Sequence, residues 1–310
     1  MSRRRVVVTG LGVVSPVGNT VSEAWDAISN GRSGIGEITR FDTSSFPVKI
    51  AGEVKGFDLG AYLSPKEARR MDGFIHYGLA AGIQAFRDSG IEVTEANADR
   101  IGVNIGSGIG GLPTIEDTHN DFLAGGPRKI SPFFIPGTII NMISGNLSIM
   151  FGLKGPNSTI SNACASSATA IGDAFRQIRH GYSDAMLVGG AEALLNSGTI
   201  KAWQAMHTLA KPHVDGAAAS CRPFSADRSG LVLSEGAAML VLEDWDTAVK
   251  RGANILAELA GYASTTDAHH LTQPDAQGQA SAMTLALQDA GLKTDDIGYL
   301  NAHGTATEVG

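Results

Sequence analysis

The segment T-I-S-N-A-C-A-S-S-A-T-A-I-G, which covers residues 159–172, decides the fold because it changes from a strand pattern to a helix pattern without a linker. Cys164 stands at the change, and the residues that follow it are small, so the predicted helix can pack closely on its neighbours. Larger apolar side chains then recur at helical spacing at Ile171, Phe175 and Ile178. The segment therefore predicts a buried central helix directly after a strand, which is the building unit of an α/β protein.

The same alternation extends along the chain in both directions. Apolar runs predict strands at residues 5–9, 100–106, 158–162, 184–189, 237–242, 255–262 and 297–301. Helical patterns predict helices at residues 22–30, 65–89, 139–151, 164–180 and 281–290. Residues 107–138 contain several Gly and Pro and are predicted to form a long connection. Such an alternation predicts mostly parallel sheets covered by helices, and the pattern begins again after Gly252.

Composition excludes several classes of protein. The 310 residues include 24 Lys and Arg against 31 Asp and Glu, and a net charge of -7 disfavours a general nucleic-acid binder. No stretch approaches the roughly 18 uninterrupted apolar residues of a membrane helix, so no membrane span is predicted. The two cysteines, Cys164 and Cys221, build no disulfide framework and lack the spacing of metal ligands. A reducing cytoplasm is the expected location.

Cys164 is the strongest candidate for a nucleophile. At the start of a helix, free backbone N–H groups and the helix dipole favour a thiolate. The alternative is a small buried apolar residue, which is a common fate of free cysteines. Cys221 lies beside Arg222 and Pro223 in a polar loop and is the weaker candidate.

A cysteine nucleophile usually works with a histidine. His303 stands out among the eight histidines because N-A-H-G-T-A-T, residues 301–307, places an imidazole and two hydroxyls on one loop after a predicted strand. The alternative is a solvated loop histidine. The neighbouring His269 and His270 point apart in an extended segment, so no metal site is predicted.

Three motifs together resemble the type II β-ketoacyl-acyl-carrier-protein synthases, the condensing enzymes of fatty acid synthesis. They are N-A-C-A-S-S around Cys164, G-G-A-E at 189–192 and N-A-H-G-T-A-T around His303. Further matching stretches extend the resemblance over essentially the whole chain, at residues 6–19, 107–112, 126–136 and 267–272.

The resemblance implies a thiolase-like fold, in which two related α/β halves stack in five layers (αβαβα), usually as a homodimer. Residues 1–252 would form the N-terminal half with Cys164, and residues 253–310 the beginning of the C-terminal half with His303. The family's second catalytic histidine, a lysine and a glycine-rich gate loop are expected beyond Gly310. Residues 1–310 alone are therefore expected to accept an acyl group but to condense it poorly or not at all.

The resemblance also implies the chemistry. The cysteine that matches Cys164 takes an acyl group from acyl carrier protein (ACP) as a thioester, with its own N–H in the oxyanion hole. Malonyl-ACP then loses CO2, and its carbanion attacks the thioester to give 3-oxoacyl-ACP. The histidine that matches His303 assists decarboxylation by stabilising charge on the malonyl thioester oxygen. No cofactor is expected, because both substrates are carried on phosphopantetheine.

Other site residues are implied by the same match. Four of them would hold the phosphopantetheine arm or form the mouth of its tunnel: Thr305, Thr307, Thr272 and His270. Four would line the acyl pocket, with the middle two reaching it across the dimer interface: Ile109, Phe134, Ile135 and Trp203. The alternative for these last four is that they are ordinary core residues.

A set of basic residues matches the positions that surround the family's tunnel entrance: Lys66, Arg69, Arg70, Arg128 and Lys129. Carrier proteins are acidic, so a local basic cluster would steer them to the entrance even though the whole chain is acidic. The alternative is a solvated charged face.

Two departures from the family pattern leave chain-length preference, and membership of a fatty acid or polyketide pathway, open. The segment 228–238 reads R-S-G-L-V-L-S-E-G-A-A where the family has R-D-G-F-V-x-G-E-G-A-G, and Trp203 replaces a usual Phe. A non-catalytic ketosynthase-like partner subunit is the main alternative, although such subunits typically lack the nucleophile. An NAD-binding dehydrogenase is a weaker one: residues 106–111 satisfy G-x-G-x-x-G, but no acidic strand end follows about 20 residues later.

Overall fold

The computed structural model describes residues 3–309. Its strands are β1 (Val6–Val14), β2 (Gly36–Glu37), β3 (Ile50–Ala51), β4 (Ile101–Gly106), β5 (Asn157–Ile160), β6 (Ala185–Glu192), β7 (Gly236–Asp244) and β8 (Ala257–Leu259). Its α-helices are α1 (Val21–Ser29), α2 (Pro65–Ala68), α3 (Gly73–Ser89), α4 (Leu112–Gly125), α5 (Phe134–Thr138), α6 (Met142–Phe151), α7 (Ser166–Arg179), α8 (Ser197–Ala205), α9 (Trp245–Lys250) and α10 (Ala276–Ala290).

Six strands form the central sheet in the order β5-β4-β6-β7-β1-β8. Only β4 pairs in parallel, with β5 and with β6, whereas β6–β7, β7–β1 and β1–β8 are antiparallel. The prediction of mostly parallel sheets was therefore wrong. A parallel pair needs a crossover that returns the chain to the same end of the sheet. The helices between β4, β5 and β6 provide such crossovers, but residues 193–235 join β6 to β7 at one end of the sheet.

The sheet lies between two helical layers. Alternate residues of β6 face opposite layers: Leu187 packs in the cluster that contains α3 and α6, while Met186 and Val188 pack with α7. Phe74 of α3 and Phe175 of α7 are almost completely buried on these two sides. The predicted central helix after Cys164 is thus confirmed as one complete layer of a layered α/β fold.

The predicted helix 65–89 is two helices. Ser64 and Glu67 form a capping box that starts α2, and the side chain of Asp72 accepts from the N–H of Phe74 to cap α3. A second cap inside the apolar pattern breaks the helix, and periodicity alone did not reveal it. The predicted connection 107–138 likewise contains the helix α4, which begins at Leu112 directly before a proline.

The residues after Gly252 add only a short strand, β8, to the edge of the same sheet beside β1. The predicted strand 297–301 is not formed, because within residues 3–309 no neighbouring strand pairs with it. Tyr299 and Leu300 are accordingly 81% and 61% exposed. None of the helices in these described residues combines the length and the apolar character that a membrane span requires.

Candidate active site

Cys164 is exposed at a tight turn between β5 and α7. The turn begins with Ala163 in the left-handed region at φ 53°. It is held by Ser166, whose hydroxyl accepts from the N–H of Asn162 at 2.9 Å and donates to the carbonyl of Ala163 at 2.6 Å. These bonds stay within the turn and leave the cysteine side chain free to face the adjoining cavity.

The start of α7 lies directly on the sheet. A Cβ added to Gly106 would lie 2.4 Å from the carbonyl carbon of Ser166, and one added to Gly190 would lie 1.9 Å from the hydroxyl of Ser167. The close contact between the start of α7 and the sheet therefore depends on glycine in β4 and β6 and on the small residues after Cys164. This contact places the cysteine above the ends of both strands.

Cys164 lines a cavity of about 630 Å³ together with Ile109 and Trp203. The ends of the central strands and the segment that enters β7 complete its walls, including Glu192 and Glu235. The structure thus brings the predicted nucleophile together with two of the four predicted acyl-pocket residues. The cavity is large enough for an acyl chain.

The other two predicted acyl-pocket residues, Phe134 and Ile135, lie on α5 and do not line this cavity. Ile135 is 59% exposed. The alternative of an ordinary core residue therefore does not hold for Ile135.

Glu192, the last residue of β6, organises the loop after β4. Its carboxylate accepts from the backbone N–H groups of Gly108, Ile109 and Gly110 at 2.8, 2.9 and 2.9 Å. Burial raises the pKa of Glu192, and the three N–H groups oppose that rise. The motif G-G-A-E includes this residue, but it did not predict that Glu192 binds the backbone N–H groups of residues 108–110.

The same contact weighs against nucleotide binding. In a dinucleotide-binding loop, the N–H groups of G-x-G-x-x-G receive a phosphate. Here the N–H groups of residues 108–110 already bind the carboxylate of Glu192, so the protein itself supplies the anion. A phosphate at this position would face a negative charge.

A buried ion pair stands behind the cavity. The side chain of Glu235 is completely buried and pairs with Arg40, which is 38% exposed. Glu235 also accepts from the N–H of Val54 at 2.8 Å and from the hydroxyl of Tyr77 at 3.2 Å. Burial raises the pKa of Glu235, and burial together with the charge of Glu235 raises the pKa of Tyr77 to about 12.

His303 is exposed on a loop that is docked on an earlier part of the chain. Arg228 Nε donates to the carbonyl of Thr307 at 2.9 Å, and the N–H of Gly230 donates to the carbonyl of Ala306, also at 2.9 Å. Ala306 is completely buried, so the loop is fixed at this point. His303 is not among the described residues that line the Cys164 cavity.

One of the predicted phosphopantetheine residues lines a second cavity, of about 1020 Å³. Thr307 and Gln273 line it, and the hydroxyls of Thr305 and Thr307 are 2.8 Å apart. His270 and Thr272 are exposed in one turn, in which His270 Nδ1 accepts from the N–H groups of Thr272 and Gln273. Arg228 also lines this cavity. It was not predicted to anchor the His303 loop, although it is the first residue of the quoted motif 228–238.

The five basic residues predicted for docking are exposed and come from two segments, 66–70 and 128–129. Arg70 stacks on the ring of Phe133 at 4.0 Å, which places the first segment beside the start of α5. Within residues 3–309, no group of three His, Cys, Asp or Glu side chains is arranged to hold a metal ion.

Comparison with known proteins identifies the relatives of this site. Residues 3–248 match the family model of the β-ketoacyl synthase N-terminal domain, and residues 256–310 match that of the C-terminal domain. The whole chain is 53% identical to 3-oxoacyl-[acyl-carrier-protein] synthase 2 of Vibrio cholerae, and 99% of it is 45% identical to the enzyme of that name from Staphylococcus aureus. It spans 75% and 74% of the length of these relatives.

Solved structures give the same result. A β-ketoacyl synthase from Burkholderia phymatum matches with a TM-score of 0.89 at 35% identity. The complex AntDE:AntF, a type II polyketide synthase acyl-carrier protein with its ketosynthase bound to the hexaketide, matches with a TM-score of 0.90 at 31% identity. In both cases the match covers 99% of this chain and 75% of the other.

Proposed function

The chain belongs to the β-ketoacyl synthase family, and we propose that Cys164 is the nucleophile with which it condenses acyl groups in fatty acid elongation. The observation that carries the proposal is the exposed cysteine at the mouth of a cavity shared with Ile109 and Trp203. A nucleophile beside an apolar cavity suits a substrate that consists of a reactive thioester and a hydrocarbon tail.

The reaction is a decarboxylating condensation in two steps. The Cys164 thiolate attacks the thioester carbonyl of acyl-ACP, and the thiol of the ACP phosphopantetheine leaves. Malonyl-ACP then loses CO2, and the carbanion left at its α-carbon attacks the acyl carbonyl on Cys164. The new carbon–carbon bond gives 3-oxoacyl-ACP and frees the cysteine. No metal or small cofactor takes part, because ACP carries both substrates as thioesters.

His303 assists decarboxylation in this proposal. The enolate that forms as CO2 leaves carries negative charge on the thioester oxygen, and an imidazole N–H donor stabilises such charge. Support comes from the anchoring of its loop: Arg228 and the N–H of Gly230 donate hydrogen bonds of 2.9 Å to the carbonyls of Thr307 and Ala306. Thr305 and Thr307 on the same loop bind the phosphopantetheine arm, and His270 and Thr272 lie at its entrance.

The exposed basic residues dock ACP. Lys66, Arg69 and Arg70 lie on one segment and Arg128 and Lys129 on another, and together they offer positive charge to an acidic carrier. We propose in addition a cytoplasmic homodimer. Both cysteines are free, as in a reducing compartment, and the exposed Ile135 is available to the second subunit.

The domain boundary is proposed at residue 252, with residues 1–252 carrying Cys164 and residues 253–310 carrying His303. Support comes from α9, which ends at Lys250 and is followed by Gly252 at φ 73°. A left-handed glycine commonly ends a helix, and here it separates α9 from the segment that leads to β8.

Intact-mass spectrometry after incubation with hexadecanoyl-ACP tests the proposed nucleophile. We expect one acyl adduct on the wild-type chain, none on Cys164→Ala and an unchanged adduct on Cys221→Ala, the matched control. An undiminished adduct on folded Cys164→Ala would refute the role of this cysteine. A wild-type chain that binds ACP without forming an adduct would favour a non-catalytic partner subunit instead.

A further inference from the structure

The carboxylate of Glu192 accepts hydrogen bonds from the backbone N–H groups of residues 108, 109 and 110. It thereby holds the loop that carries Ile109. Oε2 accepts from Gly108 and Ile109, and Oε1 accepts from Gly110 and, at 3.4 Å, from the hydroxyl of Ser107. All four donors meet one side chain on the neighbouring strand. An ionised carboxylate suits this set of four donors, because both of its oxygens accept and it has no hydrogen to donate.

Within residues 3–309, no Arg, Lys or His side chain forms an ion pair with Glu192. The ion pairs that are present join arginines and His213 to other acids. The backbone N–H groups are therefore what stabilises the partly buried carboxylate, and hydrogen bonds to a charged group are stronger than neutral ones. The carboxylate and the loop geometry depend on each other.

The loop has little freedom beyond this contact. A Cβ on Gly108 would lie 3.0 Å from Glu192 Oε2, and Gly110, at φ 80°, packs against Thr138 and Ile140. Ile109 lies between these two fixed glycines, and its own N–H is held as well. The backbone direction at Ile109 decides where its side chain enters the cavity that contains Cys164.

We propose that Glu192 is a positioning residue that sets the length of acyl chain accepted at Cys164, by fixing the backbone of Ile109. This inference rests on the proposed function. Ile109 touches the acyl chain, and Glu192 acts only through it. Release of the loop lets the Ile109 side chain withdraw from the cavity. The rate of Cys164 acylation by longer acyl chains then rises relative to the rate with shorter ones.

The experiment compares rates of Cys164 acylation by hexanoyl-, decanoyl- and hexadecanoyl-ACP, measured by intact mass. Glu192→Gln keeps the shape but turns one acceptor into an NH2 group that faces a backbone N–H. We expect the hexadecanoyl-to-hexanoyl rate ratio to rise roughly ten-fold, which is the effect of about one methylene of pocket space. Ile109→Ala should raise the ratio similarly. Combining Ile109→Ala with Glu192→Gln should raise the ratio no further than either change alone.

Glu53→Gln is the matched control. Glu53 is 4% exposed and also clamps a loop, because it accepts from the N–H groups of Thr39 and Arg40 and from the Thr39 hydroxyl, but it does not line the Cys164 cavity. We expect Glu53→Gln to lower the melting temperature and to leave the rate ratio unchanged.

A Glu192→Gln variant that changes all three rates by the same factor, or leaves the ratio within two-fold of wild type, would overturn the proposal. If this variant does not fold, Glu192→Asp, which keeps the charge on a side chain shorter by one methylene, is judged by the same ratio. A wild-type chain without any adduct would instead overturn the proposed function, and this inference with it.

Discussion

The ion pair between Arg40 and Glu235 makes the stability of the cavity wall depend on pH. Replacing Arg40 by Met leaves the completely buried carboxylate of Glu235 without its cation. Breaking a buried pair in this way costs roughly 3–5 kcal/mol, and we take about 3 kcal/mol because Arg40 is 38% exposed. For 310 residues that unfold together, this corresponds to a fall in melting temperature of about 5 °C.

The sign of the pH dependence follows from the pKa of Glu235. Burial raises this pKa in the folded protein, the negative charge of Glu53 adds to the rise, and Arg40 opposes it. In Arg40→Met the folded-state pKa of Glu235 is higher still. As pH falls through that raised value towards the unfolded value, the folded variant takes up a proton and the unpaired charge disappears. The loss of stability is therefore largest near pH 8 and shrinks towards pH 5.

Urea unfolding followed by far-UV circular dichroism at pH 8 and pH 5 measures this effect. In a Glu235→Gln background, Arg40→Met should cost far less, with a coupling energy of about 2 kcal/mol. Arg32→Met is the control, because Arg32 and Asp26 form an ion pair that is 58% and 62% exposed and should contribute less than about 1 kcal/mol. A cost that is equal at both pH values, or equal with and without the Glu235 carboxylate, would refute the reasoning.

Two further predictions concern the core and the docking surface. Leu147→Ala, at a completely buried position of α6, should lower the free energy of unfolding by about 3 kcal/mol in urea, whereas Leu123→Ala, at a position 68% exposed, should change it by less than about 0.5 kcal/mol. Charge reversal of Arg128 and Lys129 should raise the KM for acyl-ACP roughly ten-fold at low salt, with kcat unchanged. Steady-state kinetics at about 0.5 M salt should remove this difference, because exposed charges are then screened.

The parts of the site that lie close together in sequence could be predicted. The change of pattern at Cys164 predicted the strand, the turn and the helix, because the residues that form them are consecutive. The helix begins at Ser166, two residues later than predicted, since the turn first uses the hydroxyl of Ser166 to satisfy Asn162 and Ala163. Likewise, the break between α2 and α3 depended on the second cap at Asp72, within an apolar pattern that continues across it.

The contacts between distant segments could not be predicted from pattern. Arg228 reaches Thr307 across 79 positions, and the charge pattern of neither segment indicates the other. The direction of β7 was missed for a similar reason, because the long segment 193–235 contains α8 and suggests a crossover by its length. Whether such a segment crosses the sheet is decided by the end of the sheet at which its partner strand begins.

The loop 106–111 shows most clearly what a local motif leaves open. Its glycines allow consecutive N–H groups to point towards one place, and that geometry favours an anion of any kind. The neighbouring strand decides which anion is present, because the carboxylate at the end of β6 is brought beside the loop by the parallel pairing of β4 with β6. A glycine pattern that matches a nucleotide-binding loop thus becomes an internal clamp when an acidic residue follows the adjacent strand. Glu192 makes this difference, because its carboxylate occupies the place at which the N–H groups of residues 108–110 would otherwise bind a phosphate.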